Sequence, residues 1–170
     1  VEFSTRGSPV QCSPNLPEEP MPALVDDGQI GQVINNLILN AIHAVSDRGT
    51  IEVNGRIQSL LPDNDLNLMD GCYNFIEIID NGTGIDPENI SRVFDPYFST
   101  KENGSGLGLA VAHSVITNHN GVITVNSEPG KRTVFAIYLP RTRHALSDRH
   151  VEQHHDYQGT GCVLVMDDER

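Results

Sequence analysis

The sequence predicts a two-layer α/β sandwich, with one mixed, mostly antiparallel sheet carrying helices on one face. Three observations lead there. Two stretches carry apolar residues at helical spacing, several shorter ones alternate apolar and polar residues as half-buried strands do, and the strands do not alternate regularly with helices as a parallel βαβ sheet requires. The 170 residues, 38% apolar and 20% charged, suit one globular core.

The stretch to Pro22 is rich in Pro, Ser and Glu, with one short strand expected around Pro9 to Ser13. Residues 1–22 therefore read as a lead-in from an upstream domain, and a chain that opens on Val1 reads as a piece of a longer protein. Residues 23–140 form the predicted domain. Asp26 and Asp27 stand where an N-cap belongs, and Ile30, Val33, Ile34, Leu37, Ile38, Ala41 and Val45 recur at helical spacing. Asp47 to Gly49 end that helix. Ile51, Val53 and Ile57 then alternate with Glu52, Asn54, Arg56 and Gln58 as a strand. After a polar loop from Pro62 to Gly71, Asn74 to Ile79 form a second strand ending on Asp80.

From Asp80 to Gly106 the chain is dominated by Gly, Asn, Asp, Pro and Ser, with at most a short helix near Glu88 to Val93. A loop of that length inside a compact domain predicts a functional lid. Leu107 to His119 is the next helix, and Gly121 closes it. Val122 to Asn126 and Thr133 to Leu139 pair about the turn Glu128-Pro129-Gly130-Lys131. Pro140 ends the domain, 141–161 is a linker by composition, and 162–170 is an isolated strand of buried type with acids at its end.

Charge narrows the functions. With 23 Asp and Glu against 11 Lys and Arg, the net charge is -12, which argues against the broad phosphate-tracking surface that nucleic-acid binders need. An anionic ligand must find a local site. No apolar run approaches the ~20 residues of a membrane-spanning helix and no secretory leader opens the chain, so a cytoplasmic domain without membrane contact is expected. Three distant cysteines, Cys12, Cys72 and Cys162, suit unbonded thiols.

Three motifs carry chemistry. On the first helix Gln32, Asn36, Asn40, His43 and Asp47 share one stripe opposite the apolar face. A solvated stripe would normally use Lys, Glu and Arg, whereas Asn offers neutral oxygens and amide donors suited to magnesium and phosphate oxygens. Asp80-Asn81-Gly82-Thr83-Gly84-Ile85 places a carboxylate at a strand end, with two glycines where a planar ring can lie against backbone. Gly104-Ser105-Gly106-Leu107-Gly108-Leu109 leads straight into a helix, so free N–H groups and the positive helix end can face a polyphosphate.

In this order, about a long loop, the motifs resemble the ATP-binding catalytic domain of sensor histidine kinases, within the superfamily that also holds gyrase, the ninety-kilodalton heat-shock chaperone and mismatch-repair ATPases. Asn36 to Ala41 is similar to the N box, Asp80 to Ile85 to the first glycine box, Phe94 to Lys101 to the F box, and Gly104 to Leu109 to the second glycine box. The resemblance covers about Asp26 to Pro140 and implies a Bergerat-type fold with a long ATP lid. It implies that Asn40 holds magnesium, that Asn36 supports phosphate or metal binding, and that His43 reaches a phosphate. Asp80 would read the adenine amine, with Gly82, Gly84 and Ile85 lining the base pocket and Thr133 helping through a hydroxyl or water. Lys101 and the backbone of Gly104, Gly106, Leu107, Gly108 and Leu109 would meet the phosphates. Asn36, His43 and Lys101 are thus the residues expected to act in catalysis, and Phe94 and Phe98 would anchor the lid.

Hydrolysing members of the superfamily are expected to carry a Glu general base where this chain has Asn36, and an amide cannot take a proton from water at neutral pH. The resemblance therefore implies a kinase whose nucleophile is a histidine on a separate dimerising hairpin. A self-sufficient ATPase, which needs a Glu near Asn36, and a noncatalytic interaction module are the alternatives. Arg132 stands where the family often has glycine before the Thr, crowding the pocket mouth or charging it. Residues 162–170 resemble the first strand of a response-regulator receiver domain, with Asp167 and Asp168 as its acids, which implies a hybrid kinase and a receiver partner.

Overall fold

The computed structural model describes residues 10–46, 49–101 and 104–142. Five strands and three helices follow in the order β1 (Gln11–Asn15), α1 (Asp27–Ala44), β2 (Thr50–Leu60), β3 (Gly71–Asp80), α2 (Pro87–Ile90), α3 (Gly108–Asn118), β4 (Val122–Glu128) and β5 (Arg132–Pro140). The strands form one sheet in the order β1-β2-β3-β5-β4, parallel only between β1 and β2. This is the mixed, mostly antiparallel sandwich expected. Beyond Thr142 the linker, and with it the terminal strand at 162–170, lies outside the described residues.

The helical periodicity of α1 has a direct outcome. Val33, Ile34, Leu37, Ile38 and Ala41 are buried and join Ile51, Val53, Ile78, Phe135, Ile137 and Leu139 of the sheet and Ala112, Val115 and Ile116 of α3 in one core. Leu37, Ile51, Ile78, Ile116, Ile137 and Val33 are the largest side chains fully removed from solvent, each worth about 1.5–3 kcal/mol of transfer energy. Helix α1 starts at Asp26, whose Oδ1 accepts the Gln29 amide at 2.9 Å. At its other end Thr83 donates its amide to the Ala44 carbonyl at 3.0 Å, satisfying an oxygen the helix leaves open.

The lead-in is part of the frame. Val10 enters the core, β1 adds the parallel edge strand, and the buried Asn74 donates its carboxamide to the carbonyls of Met21 at 3.1 Å and Pro22 at 3.0 Å. Arg141 and Thr142 return to the same place, with backbone bonds to Cys72 and Pro22 and an ion pair to Glu19 at 2.6 Å. The chain between Asp80 and Gly106 is partly folded. It contains α2 and a run of turns, and Tyr97 donates its amide to the Gly106 carbonyl at 3.0 Å, which ties the segment expected as a lid to the second glycine box.

Strand register sets up the site. Ser127 pairs with Thr133, Thr133 with Asp80, Asp80 with Ile51, and Ile51 with Cys12, one row across all five strands. Ile51 is a core residue, so by the twofold alternation of strands the whole row faces the helices.

Candidate functional site

A cavity of about 840 Å³ opens between α1, the end of β3, the N-terminus of α3 and the segment carrying Phe98 to Lys101. Its floor is polar and buried. Asp80 is 2% exposed and Thr133 3% exposed, neighbours on adjacent strands. Burial pushes the Asp80 carboxyl above the usual carboxylate range, opposed by hydrogen bonds from the backbone of Gly82 and Thr133 and by the charge of Lys101. A carboxylate so held accepts hydrogen bonds strongly and tolerates no unpaired acceptor opposite it.

The first glycine box shapes the wall by close approach. Gly84 has φ +71, and a Cβ there would sit 2.4 Å from the Glu128 carbonyl oxygen. The loop is tied to the β4–β5 turn by a bond from the Gly130 amide to the Thr83 carbonyl at 2.7 Å and by one from the Ile85 amide to Ser127 Oγ at 2.9 Å. Gly82 is buried with its Cα against the Ala44 carbonyl and its amide on Asp80 Oδ1 at 2.9 Å, so it holds Asp80 in place and does not itself line the cavity.

Along α1, Asn36, Asn40 and His43 line the cavity, with His43 exposed at its rim. Gln32 of the same stripe does not reach it. Asn36 donates its carboxamide to the Gly108 carbonyl at 3.1 Å. The carboxamide of Asn40 makes no hydrogen bond among the described residues and is free to meet a ligand. Among those residues no group of three His, Cys, Asp or Glu side chains could hold a metal, so a cation here would take Asn40 oxygen together with oxygens of the ligand and water.

Gly104, Gly106, Gly108 and Leu109 also line the cavity, whereas Leu107 does not. Helix α3 begins without a side-chain cap, leaving amides at its positive end for an anion. Gly106, at φ +67, is the only residue type that fits, because a Cβ there would lie 2.4 Å from the Tyr97 carbonyl carbon. Lys101 reaches the cavity from the other side. Its ammonium is drawn below its ordinary range by desolvation, against the pull of Asp80.

The two aromatics expected as lid anchors divide the work. Phe94 packs on the core, 5.3 Å from the His113 ring and 6.4 Å from Phe135, while Phe98 lines the cavity under the Arg92 guanidinium at 4.5 Å. The Arg132 side chain does not crowd the cavity. It pairs with Glu128 at 3.0 Å and is absent from the lining. Asn89 and Phe135 also line the cavity; both arrive by tertiary folding, Asn89 on α2, where no motif points to it, and Phe135 on β5, the strand beside Asp80. Ser127 carried no sequence signal beyond its place in the hairpin.

No helix among the described residues is long and apolar enough to cross a membrane. Residues 25–143 match the family described as histidine kinase-, DNA gyrase B- and HSP90-like ATPase. The sensor histidine kinase ZraS of Salmonella typhimurium is 42% identical over 115 residues, covering 68% of this chain and 22% of ZraS. The sensory histidine kinase/phosphatase NtrB of Rhodobacter capsulatus is 41% identical over 131 residues, covering 75% of this chain and 35% of NtrB. The chain thus spans only about a fifth to a third of these relatives. Among solved structures, the catalytic domain of the histidine kinase ThkA superposes with a TM-score of 0.63 at 26% identity, covering 79% of this chain and 80% of that domain. On a match of that extent, the chain belongs to the histidine kinase-, DNA gyrase B- and HSP90-like ATPase family.

Proposed function

We propose that this chain is the ATP-binding catalytic part of a sensor histidine kinase in two-component signalling, delivering the γ-phosphoryl group of ATP to a histidine on a separate dimerising hairpin. The observation that carries the reading is the pairing within one cavity of a buried carboxylate floor, Asp80, with an uncapped helix end at α3. An adenine amine can donate to Asp80 while the phosphates run toward the glycine amides before α3, Lys101 and His43. The carboxamides of Asn36 and Asn40 face the phosphates without adding charge repulsion, which lets a chain of charge -12 hold a polyanion. Magnesium held by Asn40 and phosphate oxygens would neutralise charge that develops as the γ-phosphoryl group departs.

In this reading the acceptor histidine nitrogen attacks the γ-phosphorus, the bond from that phosphorus to the bridging oxygen breaks, and ADP leaves. The chain's own part is positioning, since Asn36 cannot serve as a general base for water. The phosphoacceptor domain and a receiver domain are the proposed partners, with the domain placed in the cytoplasm. The test is transfer of label from γ-labelled ATP with magnesium to a supplied phosphoacceptor hairpin. Acid-labile label on the hairpin histidine is expected. Multiple-turnover phosphate release without the hairpin, or bound ATP with no label transferred, would overturn the reading.

A further inference from the structure

The segment from Leu16 to Pro22, between β1 and α1, is stiff by sequence. Pro17, Pro20 and Pro22 lock their own φ, and each holds the residue before it, Leu16, Glu19 or Met21, to extended backbone. Extended backbone of this kind makes no hydrogen bonds within itself, so its carbonyls need donors from elsewhere. They come from two places far apart in the chain. The buried Asn74 of β3 donates its carboxamide protons to the Met21 carbonyl at 3.1 Å and the Pro22 carbonyl at 3.0 Å. Arg141, the first residue after β5, donates from Nη2 to the Glu19 carboxylate at 2.6 Å and to the Pro20 carbonyl at 3.4 Å, and the Thr142 amide donates to the Pro22 carbonyl at 3.0 Å. One carbonyl thus receives a donor from the sheet and a donor from the chain leaving it. Gly55 of β2 keeps the crossing clear, since a Cβ there would lie 2.8 Å from Leu16 Cδ2 and 3.3 Å from Met21 Sδ.

We infer that Leu16 to Pro22 is a releasable strap that couples the chain entering the domain to the chain leaving it. The strap is cheap to open, because Leu16 to Pro20 are exposed and few apolar contacts add to its polar ties. When it lifts, the Thr142 amide loses its acceptor, and the Arg141 guanidinium loses both of its partners among the described residues. In the other direction, withdrawal of Arg141 and Thr142 leaves the strap with the Asn74 bonds as its remaining tie to the sheet. Its stiffness makes the coupling efficient, since three fixed φ angles leave little slack in which a displacement can be absorbed. The clamp also stands apart from the proposed nucleotide site. Asn74 and Asp80 are separated by about 20 Å along β3 at the rise of a strand, so the inference does not depend on ATP binding.

The test loosens each side of the clamp in the full chain and reads the other. Pro20→Gly keeps every carbonyl of the strap and adds backbone freedom; Arg141→Met keeps the stem of the side chain and removes its bonds to Glu19 and Pro20. Amide hydrogen exchange by NMR follows Thr142, and cleavage after Glu18 by a glutamate-specific protease follows the strap. In Pro20→Gly the Thr142 amide should exchange about fivefold faster, the effect of the added freedom of the released strap. In Arg141→Met cleavage after Glu18 should rise about fivefold, since it tracks the population of the open strap. In both variants the amides of the β2–β3 ladder should keep their wild-type protection. A Thr142 amide that exchanges at the wild-type rate in Pro20→Gly, or a strap cut no faster in Arg141→Met, overturns the coupling. Faster exchange at Thr142 that is matched throughout the β2–β3 ladder overturns it too, because the change is then a loss of stability of the whole domain.

Discussion

The carboxamide of Asn36, in the middle of α1, donates to the carbonyl of Gly108, the first residue of α3, at 3.1 Å. This bond sets the distance between the polar stripe of one helix and the anion-facing end of the other. Asn36→Asp keeps the shape but sets a carboxylate oxygen against that carbonyl. It should cost about 1–3 kcal/mol, read by urea denaturation, and weaken ATP further by moving the α3 amides. Unchanged stability would mean that the tie does not hold the two helices.

Asp80 should show a conflict between stability and binding. Its folded carboxyl holds a proton more readily than the ordinary value of 3.8, so above that pH the native state binds more protons than the unfolded one. Its contribution is then fully present below pH 3.8 and lost as pH rises through the raised folded value. Asp80→Asn, which cannot ionise, should be at least as stable as wild type at neutral pH, with the advantage shrinking toward acid. Thermal unfolding of both proteins across pH checks this; a variant whose deficit grows toward neutral pH would contradict it.

Two glycines with the same backbone sign should behave differently. Gly130 has φ +73 with open space about its Cα, so Gly130→Ala should cost only the left-handed backbone, about 1–2 kcal/mol. Gly84 has φ +71 and adds a backbone clash with Glu128, so Gly84→Ala should cost about 3 kcal/mol or more and open the base-pocket wall. Equal costs in denaturant titrations would argue against that close approach.

His119 joins α3 to the start of α1. Its Nδ1 lies 2.8 Å from the Val115 carbonyl and so carries the proton, and Nε2 accepts the Asp26 amide at 3.1 Å. His119→Leu should lose about 1–3 kcal/mol, and His119→Gln, which has both a donor and an acceptor, should lose less. Calorimetric melting of the two variants separates the bonded role from simple space filling.

What the residues announced in advance depended on the range of the interaction. The period of α1 and its cap at Asp26 are local, and both appear where the spacing put them. Asp80 and the two glycine boxes are also legible, because a strand-end carboxylate and uncapped glycines keep their chemistry wherever the strands pair. Gly82 was misplaced in detail: its spacing suits a pocket wall, but contact with Ala44 turns it into a brace for Asp80. Asn89 and Ser127 were silent, since their parts depend on how α2 folds back and on cross-strand register. The docking of 10–22 through Asn74 likewise needs the folded sheet.

Titration of the chain with a nonhydrolysable ATP analogue in the presence of magnesium, beside the same titration of Asp80→Asn, decides whether Asp80 is the floor of a nucleotide site. Saturable binding by the wild type, weakened about tenfold or more in Asp80→Asn, is the expected result. Equal affinity in the two proteins, or no binding by a wild-type chain shown to be folded, would contradict it.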